Sequence, residues 1–299
     1  MSSIPSSSVT GPWWLRLLAR WPLPVFRGLG VLIAAGLWLC AVRRRRVVER
    51  NLSLCFPQAT SRERARWTWE TFRYFSQAFL DRVWLWHAPP HVVRQRVQLH
   101  DPCGVLAPHS PVVCFAPHFV GLDAGWAALT QQSAGVWQTV YAPQATGWMD
   151  RWVRAGRSRF GGHRLVVKHE GFRPVIKGLR DGVSLYVLPD MDLGARDSVF
   201  VPFFGVSTAT VTSLPRLTRA TGVPVVMLVT SLVPGGYRVE VGPRWADFPS
   251  GDDVADAARM NAELEPAVRQ MPGQYHWLHR RFKTRPPGES DVYGDGCST

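Results

Sequence analysis

Apolar residues first gather in one nearly unbroken run. From Pro24 to Val42 the chain is apolar apart from Arg27, and the uncharged part, Gly28–Val42, is 15 residues long. As a helix that part rises only about 22 Å against a hydrocarbon core of roughly 30 Å, so it crosses a bilayer only if Pro24–Arg27 joins it and Arg27 snorkels. Trp13, Trp14 and Trp21 precede the run and Trp38 lies within it, positions that suit a headgroup interface. A single-pass anchor, an interfacial anchor and a buried core helix all remain open. A cleaved signal peptide fits less well, because Arg43–Arg46 stand where a small-residue cleavage site would be.

Beyond this run the period changes. Thr60-x-x-Glu63 forms a capping box ahead of a long segment with Trp67, Phe72, Phe75, Phe79, Val83 and Trp86 along one side, which predicts a helix that Pro89-Pro90 ends. Short apolar runs follow at Val112–Ala116, Val136–Ala142, Arg164–Lys168, Val183–Leu188, Pro224–Leu232 and Tyr237–Val241. Segments of helical character separate most of them, at Leu122–Gln132, Gly147–Phe160, Phe172–Arg180 and Thr208–Thr221. Strands alternating with helices predict an α/β fold, a central mixed sheet flanked by helices. A last helix begins near Ser250-Gly251-Asp252-Asp253 and runs toward Met271, with Pro266 expected to kink or shorten it.

Composition narrows the class. In 299 residues, 46% hydrophobic and 19% charged side chains exclude both wholesale disorder and a polytopic membrane protein. Thirty-five basic against 22 acidic residues give a net charge of +13, which points to an anionic partner: nucleic acid, a lipid surface or a phosphorylated substrate. Nucleic acid is disfavoured, since the basic residues are spread along the chain with no nucleic-acid motif. Arg43–Arg46, with Arg50, Arg62, Arg64 and Arg66 behind them, place the bulk of the chain on the cytoplasmic side by the positive-inside rule. Five cysteines without a C-x-x-C pair fit a reducing compartment. Three regions are expected: an N-terminal membrane anchor with its basic flank (1–46), a main α/β domain (47–285) and a flexible C-terminal tail (286–299).

Candidate chemistry begins at His118, the end of a buried strand, with Asp123 five residues on. On a continuous helix these two side chains would point about 140° apart. They pair only if the chain turns between strand and helix, a turn Gly121 permits. An aspartate on one imidazole nitrogen fixes the tautomer and leaves the other nitrogen to take a proton from a hydroxyl. By itself the spacing is equally compatible with a structural histidine. Asp190-x-Asp192 has the form of a metal pair but lacks a nucleotide-binding glycine loop, and His276-x-x-His279 lacks a third ligand.

The segment His118–Asp123 resembles the H-x-x-x-x-D/E signature of glycerolipid and lipid A acyltransferases, and the rest of the chain is similar to the late acyltransferases of lipid A biosynthesis. Arg43–Arg46 through Asn51-Leu52-x-Leu54-Cys55-Phe56-Pro57 resembles the segment after that family's anchor. Tyr141-x-Pro143 with Asp150 and Arg157-x-Arg159-Phe160-Gly161 resembles a second block, and Leu188-Pro189-Asp190-Met191-Asp192-x-Gly194 a third. Val199–Gly205 and the closing Gln274–Pro286 complete the likeness, which covers roughly residues 20–290 in order. The chain departs from the family pattern at Met191, where Gln is frequent, and at Ala142, where Arg is.

The resemblance implies a glycerolipid-acyltransferase-like fold on the bacterial inner membrane and transfer of a fatty acyl chain from acyl carrier protein to the 3-hydroxyl of an acyl chain on a lipid A precursor. It implies His118 as general base, Asp123 as its orienter, no metal and no cofactor beyond the acyl-carrier-protein co-substrate. Arg159, Asp190, Asp192, Arg280, Arg281, Lys283 and Arg285 are the expected substrate contacts, the cations for lipid phosphates. The alternative within the same chemistry is another membrane lipid, a glycophospholipid mannoside or a lysophospholipid. A non-enzymatic basic membrane-surface protein is the alternative outside it.

Overall fold

The structure, a computed structural model, describes residues 12–294. The serine-rich tip Ser6–Ser8 and Cys297 lie outside the described residues. Helices α1 (Trp13–Leu18), α2 (Leu23–Cys40) and α3 (Val42–Cys55) come first. Pro22 precedes α2 and Pro24 sits in its first turn, where a missing N–H costs nothing. The helix breaks at Ala41 (φ −91°, ψ 50°), and the chain restarts as α3 with Arg43–Arg46 in its first turns. Helix α4 (Ser61–His87) opens on the expected capping box: Glu63 N–H donates to Thr60 Oγ1 at 3.2 Å, and Thr60 N–H donates to Glu63 Oε2 at 2.8 Å. Pro89 ends it, and α5 (Pro90–Arg96) follows.

The remaining elements in chain order are β1 (Val97–His100), β2 (Val113–Phe115), α6 (Leu122–Gln132), β3 (Trp137–Tyr141), α7 (Gly147–Arg157), β4 (His163–Val167), α8 (Arg173–Arg180) and β5 (Ser184–Val187). Then come β6 (Ser198–Phe203), β7 (Val206–Val211), α9 (Ser213–Thr221), β8 (Val225–Val233), β9 (Gly236–Arg244) and α10 (Asp253–Gln270). Seven strands form one mixed sheet in the order β1-β9-β8-β2-β5-β3-β4, parallel throughout except for the antiparallel β8–β9 hairpin. Strand β2 lies at its centre and is buried along its whole length, as a strand covered on both faces must be. Its alternation feeds two cores: Val112, Cys114 and Ala116 join the cluster of Trp84, Trp86 and Trp126, while Val113 and Phe115 join that of Phe203 and Trp277.

Two local expectations are corrected. The helix expected over 208–221 begins only at Ser213, because Val206–Val211 pairs with Ser198–Phe203 as a two-stranded antiparallel hairpin. Its two-residue turn, Phe204-Gly205, has positive φ at both positions (52° and 76°), which closes a tightly twisted hairpin. Pro266 does not shorten α10, which continues to Gln270. Within the tail expected to be flexible, Tyr293 is buried, its hydroxyl donating to Asn51 Oδ1 at 2.6 Å and accepting from Phe282 N–H at 3.0 Å.

Candidate active site

Strands β2 and β5 are parallel neighbours with Phe115 opposite Val187. Three residues past each partner stand His118 and Asp190, so the register that pairs the strands also brings these side chains together at the carboxyl edge of the sheet. His118 Nδ1 lies 2.6 Å from Asp190 Oδ1, and the His118 backbone N–H donates to Oδ2 at 2.9 Å. Tyr275 adds a hydroxyl donor to the same oxygen at 2.9 Å. The carboxylate is 1% exposed and the imidazole 24%. Burial pushes the Asp190 carboxyl up, but the charge and hydrogen bonds of His118, with Arg281 further off, outweigh it and hold the group below its ordinary value. With Nδ1 donating to a carboxylate, Nε2 is left as the free acceptor.

Asp123 does not touch this pair, contrary to the expectation that it orients His118. It lies in the first turn of α6, where Oδ2 accepts from Arg82 Nε and Oδ1 from Arg157 Nε, each at 2.8 Å. Burial raises the Asp123 carboxyl, yet Arg157 and Arg82 outweigh it and hold the group at about 2. Gly121 is required for a different reason from the one expected. Its φ of −90° is ordinary, but a Cβ there would come within 2.5 Å of Thr230 Cγ2 and 2.9 Å of Tyr237 Cδ1. The glycine therefore lets α6 press onto β8 and β9 rather than allowing an unusual turn.

A cavity of about 210 Å³ opens beside His118, walled by Phe75, Phe79 and Arg82 of α4, Arg157 of α7, Tyr237 of β9 and His276. Its two guanidiniums share one carboxylate, which leaves a net positive charge facing the reacting edge. The His276 backbone N–H donates to the His118 carbonyl at 2.9 Å, and the two rings lie 6.2 Å apart. Burial, then the neighbouring His118 and His279, lowers His276 to about 4 and keeps it a neutral imidazole.

The other expected contacts lie elsewhere. Asp192 is fully buried and accepts from Gly194 N–H, Thr284 N–H and the Thr284 hydroxyl at 2.8–2.9 Å, which ties the loop after β5 to the closing segment. Arg281 is 1% exposed and donates to Thr208 Oγ1, the Ala209 carbonyl and Asn261 Oδ1. Arg159 donates to the carbonyls of Leu85 and Ala88 at the end of α4, and Arg285 to the Ser207 carbonyl and Glu289. Arg280 lies over the Tyr293 ring, and Lys283 is exposed away from the cavity wall. Arg159, Arg281 and Arg285, expected as phosphate contacts, are engaged within the fold and do not line the cavity beside His118. Asp190, expected as a substrate contact, bonds His118, and Asp192, expected likewise, bonds Gly194 and Thr284. Arg82, Arg157 and Tyr275 also stand at this site and are not singled out by the sequence alone. Arg157 and His276 stand within blocks named from the sequence, His276 there as one half of the His276-x-x-His279 pair.

Fold and site together define an α/β protein with a histidine held by a buried carboxylate at the carboxyl ends of its central strands, beside a cavity lined by two arginines. The chain belongs to the family of bacterial lipid A biosynthesis acyltransferases, which its sequence matches over residues 7–284. It is 31% identical over 290 residues to the lipid A biosynthesis palmitoleoyltransferase of Escherichia coli (strain K12), a match covering 94% of this chain and 90% of that one. To the lauroyltransferase of the same organism it is 31% identical over 288 residues (93% and 92%), and to the myristoyltransferase 33% over 256 residues (84% and 78%).

Proposed function

We propose that this acyltransferase moves a fatty acyl chain from acyl carrier protein onto the 3-hydroxyl of an acyl chain already present on a lipid A precursor, at the cytoplasmic face of the inner membrane. The observation that carries the chemistry is the 2.6 Å contact of His118 Nδ1 with buried Asp190, which leaves Nε2 as the base. The acceptor oxygen attacks the thioester carbonyl while Nε2 takes its proton. The tetrahedral intermediate then collapses with loss of the C–S bond, the imidazolium returns the proton to the thiolate, and an ester and a free thiol leave. Asp190 holds the ring and stabilises its protonated form. No covalent acyl-enzyme is needed, because the hydroxyl is itself the nucleophile. Arg82 and Arg157, each held at Nε by Asp123, have their terminal nitrogens available for the oxyanion or for an acceptor phosphate. Relatives named for palmitoleoyl, lauroyl and myristoyl transfer support a fatty acyl donor.

The test is incubation of the purified full chain with acyl-acyl carrier protein and an under-acylated lipid A precursor, read by mass spectrometry. The expected product gains one acyl group, and His118→Ala lowers the rate by about 10²–10⁴-fold. No mass gain with any fatty acyl chain, or acylation of a lysophospholipid in its place, would contradict the proposal.

A further inference from the structure

The apolar run is docked on one side and bare on the other. Leu23, Phe26, Gly30 and Ala34 are the buried positions of α2, which packs along α4, and a Cβ on Gly30 would lie 2.6 Å from Gln77 Cγ. Arg27 Nη2 stands 3.1 Å from the Asp81 carboxylate, which is 1% exposed. That carboxylate also accepts from Trp84 Nε1 at 2.8 Å and from the Tyr237 hydroxyl at 2.7 Å, and Gln77 Nε2 donates to the Arg27 carbonyl at 3.1 Å. The single charge in the run is thus a latch to the catalytic unit. On the far side Val25, Leu29, Leu32, Ile33, Gly36 and Leu39 are exposed at helical spacing without a polar residue among them. Exposed Trp13, Trp14, Leu17 and Trp21 extend the same apolar character through α1. A face of this extent is out of place in water.

A spanning orientation conflicts with the latch. By length and composition α2 could cross a bilayer, since its eighteen residues rise about 27 Å against a roughly 30 Å core, so what is packed against it decides the orientation. A spanning α2 would draw α4, with Gln77, Asp81, Arg73 and Arg82, into hydrocarbon, where each ionised group costs several kcal/mol. Lying in the interface, the bare face sinks about 5–10 Å among the acyl chains while α4 stays in water. Exposed Arg20 before α2, and Arg43, Arg44 and Arg46 after it, then reach anionic headgroups.

We propose that α1 and α2 lie in the plane of a single phospholipid leaflet, latched to the catalytic unit through Arg27 and Asp81, and do not cross the bilayer. The inference rests on the membrane assignment of the proposed function and adds its geometry. Tyr237, bonded to Asp81, and Phe79 of α4 both wall the catalytic cavity. A lipid acceptor therefore reaches His118 from the leaflet that holds α2.

The test uses the full chain with Cys40, Cys103 and Cys297 replaced by serine and one new cysteine at a time, in inner-membrane vesicles of both orientations treated with a membrane-impermeant maleimide. Arg20→Cys, before α2, and Arg62→Cys, after it, are both expected to react only in inside-out vesicles. Leu32→Cys is expected to resist the reagent in either orientation, and a fluorophore attached there in detergent to be quenched by spin-labelled phospholipid after reconstitution. Reaction of Arg20→Cys from the opposite side to Arg62→Cys would overturn the proposal. So would labelling of Leu32→Cys in vesicles, or shielding without lipid quenching, which would mean that a second protein copy covers the face. Acyl transfer measured in the same vesicles separates the two readings: persisting transfer with opposite-side labelling removes the in-plane geometry alone, whereas recovery of the active chain as a soluble protein removes the membrane assignment.

Discussion

At the scale of single residues, His118 is legible because a buried apolar run ends on it, and the polar group at the end of a central strand is where an α/β sheet exposes its chemistry. Its partner was hidden by distance: Asp190 lies 72 residues away, and only the β2–β5 register brings them together. The helical geometry of H-x-x-x-x-D already argued against the local pair, and Asp123 instead serves two arginines. Arg281 shows the converse case, a cation of a basic block whose partners are Thr208, Ala209 and Asn261 within the fold. Arg281→Ala should therefore lower stability by about 3 kcal/mol through lost charged hydrogen bonds. Its losses in turnover should be equal on acceptors with two, one or no phosphates. A selective loss on the bisphosphorylated acceptor would return Arg281 to phosphate recognition.

At the scale of elements, period and punctuation located most of the fold. The capping box marks the start of α4 and Pro89-Pro90 its end, and the helical segment over 122–132 coincides with α6. The β6–β7 hairpin escaped because Val206–Val211 is β-branched yet runs straight into α9, and its partner strand was visible only as an aromatic block. Helix α7 shows how an element places a functional group: Gly156 packs so close to α4 that an added Cβ would lie 2.2 Å from the Trp86 ring, and the next residue is Arg157. Gly156→Ala should cost about 1–3 kcal/mol by overpacking. By displacing Arg157 it should also reduce turnover of the remaining folded enzyme. Thermal melts and active-site-normalised kinetics check this, and unchanged turnover would show that Arg157 tolerates the shift.

At the scale of the whole molecule, three histidines are held neutral by the fold. Burial lowers His87, His276 and His279 to about 4 each, with Arg159 adding to it at His87 and Lys283 at His279. The unfolded chain binds protons at these residues near pH 6.5 and the folded chain does not until about 4. Their stability contribution is therefore complete above about pH 6.5 and is lost as pH falls toward 4. The melting temperature should drop across that interval. His87→Gln, which keeps an acceptor for Trp152 Nε1 but cannot ionise, should flatten the drop.

The central claim is that His118 and Asp190 act as one unit while Asp123 acts separately, and a double-mutant cycle on the transfer rate tests it most directly. Residues that work as a unit are non-additive. Asp190→Asn should slow the otherwise unaltered enzyme by about 10²-fold or more and add almost nothing in a His118→Ala background. Asp123→Asn should cost the same factor in both backgrounds. The reverse pattern, with Asp123→Asn silent once His118 is gone and Asp190→Asn still additive, would contradict the account.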